Sequence, residues 1–109
     1  MAIDLSSDTF EQEVLKSSVP VLIDFWGPKC APCLALMPQV ESLEIKYGAN
    51  FKITKVDASK NRRMCLNLRV LGLPTFLIYK DGMAVSRLTG DTLTIGEIEA
   101  AMGTALKGK

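Results

Sequence analysis

A chain of 109 residues, 48% hydrophobic and 23% charged, suits one domain around one modest core and has the composition of a soluble globular protein. Its net charge of +1, with basic and acidic residues scattered along the chain, speaks against a nucleic-acid binder, which shows a basic stripe and a large positive balance. The start, 1-MAIDLSSDTF-10, lacks the basic and apolar regions of a secretory signal, and no apolar run approaches the roughly 20 residues of a membrane span, so the expected compartment is the cytoplasm.

In chain order, a short strand at 2–5 precedes a helix that Ser6 or Ser7 can cap, with Phe10, Val14 and Leu15 on one face. Residues 20-PVLIDFW-26 form a nearly continuous apolar run of strand length, as expected of a strand buried on both sides in a helix-covered sheet. The next helix starts near Ala31 and runs to about Tyr47. Leu36, Val40, Leu43 and Tyr47 recur at spacings of four, three and four, which is one helical face. Pro38 inside it removes a backbone donor and should kink it, and Gly48 suits its C-cap. A strand at 51–57 and a short helix around 60–68 follow. Residues 70-VLGLPTFLIYKDGMAVSRLTG-90 read as a hairpin, with strands at 75–80 and 83–89 and a turn at Asp81-Gly82. A final helix, about 94–107, turns Ile95, Ile98 and Met102 inward. The order βαβαβαββα describes an α/β chain, with parallel strands joined by helical crossovers, then an antiparallel hairpin, in one mixed sheet covered on both faces.

The chemistry concentrates in 26-WGPKCAPCLALMP-38, where two thiols stand between a strand and a helix. Three readings compete. A structural zinc site usually needs four Cys or His ligands, and the chain has no histidine and one further cysteine, Cys65. A structural staple fails on magnitude. A Cys30–Cys33 bridge closes a loop of four residues, which in the chain-entropy model stabilises by about 2 kcal/mol against roughly 4.7 for a loop of about a hundred. An odd count of three cysteines also fits no closed disulfide framework. The third reading is a reactive dithiol. Cys30 falls at the N-terminal end of the helix, where unpaired N–H groups and the helix dipole favour a thiolate, the nucleophilic form. Lys29 adds screened attraction. Cys33, at i+3 and one turn further in, can attack a mixed disulfide formed at Cys30. Pro32 fits the first helical turn and stiffens the bridge.

Taken together, Asp24-Phe25-Trp26, the CxPC core at 30–33, Pro38 inside the following helix, GLPT at 72–75, the KDG turn at 80–82 and Gly90 make the chain resemble the thioredoxin family along essentially its whole length. Thioredoxins are themselves a standard example of a lowered CxxC thiol pKa, so that property follows from the resemblance. The resemblance implies the thioredoxin fold and roles for several residues. Asp24, flanked by apolar neighbours, would be a buried base with a raised pKa that takes the Cys33 proton, through water. Lys55 on the neighbouring strand would be its partner, or else an ordinary surface lysine. The Leu73–Pro74 bond would be cis and face the dithiol, leaving the Leu73 backbone to pair with an extended substrate, and Trp26, Leu73 and Gly90 would form the apolar docking rim. Cys65 reads as a small buried apolar residue.

The motif also departs from the family's usual WCGPC. Lys29 stands where an aromatic residue is usual, Ala31 replaces glycine, Gly27-Pro28 is unusual, and Leu34 puts an apolar group where a polar surface residue is expected. Such residues, with Pro32, tune redox poise and partner fit. The functional expectation is a cytoplasmic, monomeric protein-disulfide reductase that needs no bound cofactor or metal and is re-reduced by an NADPH-dependent flavoprotein of the thioredoxin-reductase type. The alternative expectation is a binding subunit of this fold whose dithiol is dispensable.

Overall fold

The computed structural model describes residues 2–108. Its elements are β1 (Ile3–Asp4), α1 (Ser7–Phe10), β2 (Val21–Trp26), α2 (Ala31–Tyr47), β3 (Lys52–Asp57), α3 (Arg62–Asn67), β4 (Thr75–Lys80), β5 (Met83–Thr89) and α4 (Ile95–Lys107). The sheet runs β1-β3-β2-β4-β5. β1 and β2 pair parallel to β3, and β4 pairs antiparallel to both β2 and β5. This is an α/β mixed sheet of the thioredoxin type, with the expected order of elements.

The local chemistry accounts for most boundaries. Ser6 is the N-cap of α1, its N–H donating to Thr9 Oγ1 at 3.1 Å. The helix then widens into a π turn at Glu11–Leu15, with the Lys16 N–H reaching the Glu11 carbonyl at 3.0 Å. Val14 is buried and Phe10 half-buried, while Leu15 is exposed. Val14 therefore turns to the sheet, and Leu15, the next residue round the turn, faces solvent. Gly48 closes α2 at φ +56°, and Pro38 lies on the solvent side of that helix. Asp81 and Gly82 both take positive φ, 53° and 78°, as a two-residue hairpin turn requires. The helix expected around 60–68 is a 3₁₀ turn at Ala58–Lys60 followed by the short α3. At the start of α4, Thr94 and Glu97 cap reciprocally, at 2.9 and 3.2 Å, which satisfies two otherwise unpaired helix donors.

Alternation along β2 divides the core. Val21, Ile23 and Phe25 pack with Val14 and Met64 on the α1/α3 face, and Leu22 packs with Leu36, Val40, Ile98 and Met102 on the α2/α4 face. β2 and β4, the two central strands beside the dithiol, are buried on both sides, so the residues at their ends are firmly positioned.

Candidate functional site

β2 ends at Trp26 and α2 starts at Ala31, so the intervening loop presents Cys30 as the N-cap of α2 in an extended conformation (φ −95°, ψ 99°). Its Sγ accepts a hydrogen bond from the Cys33 N–H at 3.3 Å, one of the helix-end donors that lack an intrahelical partner. Cys30 and Cys33 are joined in a disulfide with Cα atoms 5.2 Å apart. The two sulfurs are unlike. Cys30 is half-buried at the helix mouth, and Cys33 is 1% exposed beneath it. Ala31, Lys29 and Leu34 are exposed around the pair, and Pro32 occupies the first turn of α2.

Asp24 lies on the same strand face as Leu22, under α2, and is 2% exposed. Burial lifts its carboxyl from 3.8 to about 7, with the positive charge of Lys55 pulling the other way. Desolvation dominates because an ionised carboxylate has little to replace its hydration there. Among the described residues nothing hydrogen-bonds its Oδ1. A cleft of about 10 Å³ beside it, lined by Asp24, Met37, Val40 and Lys55, is close to the smallest space that holds one water. Lys55 is the register partner of Asp24 across β2 and β3. Its ammonium approaches Asp4 at 3.8 Å and sits over the Trp26 ring, 5.9 Å from the centroid. It therefore acts on Asp24 through its field, without a direct ion pair.

The Leu73–Pro74 peptide bond is cis. Loop and hairpin are laced together here. The Pro74 carbonyl accepts from the Gly90 N–H at 3.1 Å and from Thr89 Oγ1 at 3.2 Å, and Thr75 Oγ1 donates to the Gly72 carbonyl at 2.6 Å. Gly90 takes φ +119°, a conformation that favours glycine. Trp26 is half-buried, with its Nε1 buried and unpartnered among the described residues.

Beside Cys30 opens a groove of about 800 Å³. It is lined by Gly27–Cys30 from the loop after β2, by Arg62, Cys65 and Leu66 of α3, and by Val70–Leu73. Of the expected rim residues, Leu73 lines this groove, while Trp26, Pro74 and Gly90 do not. Arg62, Val70 and Gly27 were not expected in a docking role. Gly27 is buried, and a Cβ there would lie 3.2 Å from Leu73 Cδ1. The unusual Gly27-Pro28 pair is the sequence signal that could have found it. Cys65 is buried, and its thiol is pushed up by desolvation, which disfavours the thiolate.

Comparison with known proteins gives a consistent family. The thioredoxin family model matches residues 1–103. A thioredoxin of Acetoanaerobium sticklandii is 46% identical over 97 residues, covering 89% of this chain and 92% of that protein. A thioredoxin of Peptoclostridium acidaminophilum is 38% identical, covering 92% and 91%. Thioredoxin 1 of Synechococcus elongatus is 38% identical, covering 83% and 84%.

Proposed function

The chain belongs to the thioredoxin family and is a thiol–disulfide oxidoreductase, and from that premise we propose that Cys30 attacks substrate disulfides and Cys33 resolves them. The single observation that carries this division is the asymmetry of the pair, with Cys30 at the open helix mouth and Cys33 buried beneath it. An incoming disulfide meets Cys30 first, and a thiolate at that position is favoured by the helix N-terminus.

In the first step the Cys30 thiolate attacks one substrate sulfur. A Cys30–substrate S–S bond forms, the substrate S–S bond breaks, and the departing sulfur takes up a proton. In the second step Cys33 gives its proton to Asp24, relayed by water, and its thiolate attacks Cys30 Sγ. The Cys30–Cys33 bond forms, and the second substrate sulfur leaves as a thiolate and takes up the proton that Asp24 returns through water. Two electrons and two protons pass to the substrate. Asp24 suits the proton step because its pKa of about 7 lies near neutral pH, where a general base is most effective. Lys55 tunes it, and Lys29, Ala31 and Pro32 tune the pair. Trp26, Leu73, Pro74 and Gly90 border the bound peptide, whose backbone pairs with Leu73. A two-electron donor, which we take to be an NADPH-dependent thioredoxin-reductase-type flavoprotein, restores the dithiol. We place this activity in the cytoplasm, in a monomer built as one domain. Among the described residues no helix is long and apolar enough to cross a membrane.

Insulin-disulfide reduction with dithiothreitol as donor tests the assignment. Cys30→Ser should fall to the uncatalysed rate. Cys33→Ser should lose turnover while accumulating a mixed disulfide visible by mass spectrometry. Wild-type speed in Cys30→Ser would overturn the choice of nucleophile.

A further inference from the structure

The net charge of +1 conceals an uneven spread. Between residues 58 and 80 the chain holds Lys60, Arg62, Arg63, Arg69 and Lys80 and no acid, whereas the rest carries 8 of the 13 cations and all 12 acids. The structure sorts these cations. Lys80 donates to the Ala105 and Gly108 carbonyls at the far end of α4. Arg63 borders a separate hollow beside Phe10. Of the five, Arg62 alone lines the groove beside Cys30, which Lys29 of the Cys30 loop also lines. Both are exposed, and neither is ion-paired among the described residues. The groove has no acidic lining. The nearest acid in sequence, Asp57, is turned to the Ser59 N–H and hydroxyl at 2.9 and 2.6 Å. The lips of the groove are apolar, with Leu66 65% and Leu71 84% exposed.

We propose that this groove selects disulfide-bearing protein segments in which the attacked cysteine has acidic and apolar neighbours, with Lys29 and Arg62 recognising the acids and Leu66, Leu71 and Val70 the apolar side chain. The inference rests on the reading of Cys30 as nucleophile and names the substrate class it serves. Opposite charges across a docking surface raise the encounter rate and fix the register, and both effects weaken with salt. The preference also runs against intrinsic reactivity, because an anionic flank repels any attacking thiolate. A preference for acidic substrates must therefore come from the protein.

The test uses three oxidised peptides identical except for Glu, Gln or Lys beside the cysteine. Each is reduced in a single turnover by the pre-reduced protein, and each rate is divided by the rate with dithiothreitol. In about 10 mM salt, where screening extends over about 30 Å, the Glu peptide should be reduced about tenfold faster than the Lys peptide. In about 1 M salt, where screening acts within about 3 Å, the ratio should approach one. Arg62→Glu should invert the preference, Lys29→Gln should narrow it whatever it does to all three rates, and Lys107→Gln on distant α4 should leave it as in the wild type. Equal rates for the Glu and Lys peptides, or an unchanged ratio in both Arg62→Glu and Lys29→Gln, would overturn the proposal. The three peptides together separate the two levels. If none of the three peptides is reduced, the reading of Cys30 fails; if all three are reduced at equal rates, only the groove assignment fails.

Discussion

The α2/α4 face of the sheet and the α1/α3 face bury equal sets of eleven apolar side chains among the described residues, yet they are built differently. α2 and α4 are 17 and 13 residues long and cover their face without a break in either helix. The other face is covered by α1 and α3, of four and six residues, with a π turn and a 3₁₀ turn. Long helices close over the strands and leave beside Asp24 a cleft of only about 10 Å³. Short ones leave the groove of about 800 Å³ beside Cys30. A dry face can shift the pKa of an acid, and a gapped face can admit a side chain. The dithiol stands at the end of the strands where both are in reach, so the proposed proton transfer to Asp24 and the proposed docking in the groove would be served from opposite sides of β2.

Two methionines test this contrast directly. Met102 is 0% exposed on the α2/α4 face, and Met64 is 6% exposed on the other, where it lines the hollow beside Phe10. Met102→Ala should cost about 3–5 kcal/mol in urea unfolding, and Met64→Ala about 2 or less, since a core truncation costs least where the surroundings can collapse. Equal losses would mean that the faces are packed alike and that the groove reflects surface shape alone.

The second way to sharpen the comparison is the charge under α2. The Asp24 carboxyl has its folded pKa raised from 3.8 to about 7. Between those values the folded protein holds a proton that the unfolded chain has released, so stability falls as pH rises through this window and levels off above it. The full shift corresponds to an upper limit of about 4 kcal/mol. Asp24→Asn should therefore match the wild type near pH 4 and exceed it by about 2–4 kcal/mol at pH 8, while insulin reduction at neutral pH slows by at least about tenfold. Opposite signs for stability and turnover mark a functional charge. A wild-type stability that tracked that of Asp24→Asn from pH 4 to 8 would show that the carboxylate is not desolvated.

Local physics made much of this legible in the sequence. The apolar run of β2, the four-three-four spacing of α2, Gly48 and the Asp81-Gly82 turn each state their conformation within a few residues. Asp24 could be read as buried because its neighbours in the strand are apolar, and the CxPC pair declared its place at a helix mouth. The position of Lys55 opposite Asp24 needed the pairing of β2 with β3, which no single segment specifies. The groove was hidden for a similar reason. It depends on residues 27 and 73 meeting across the fold and on how short α3 is. The acid-free stretch at 58–80 was present in the sequence but vanished in a total charge of +1.

The smallest expected effect concerns the seam between the two faces. Gly27 joins β2 to the Cys30 loop, and a Cβ added there would stand 3.2 Å from Leu73 Cδ1, tighter than ordinary van der Waals contact. Leu73 is half-buried and lines the open groove, so its side chain can yield toward that space by a few tenths of an ångström. Gly27→Ala should consequently cost no more than about 1 kcal/mol in stability, the mild end of overpacking. Because the displaced Leu73 stands where peptide is expected to dock, the KM for insulin should rise about threefold or more, with kcat little changed, as expected for the loss of uniform binding. A loss of stability above about 3 kcal/mol with unchanged KM would place Leu73 in the rigid core and remove it from the docking surface.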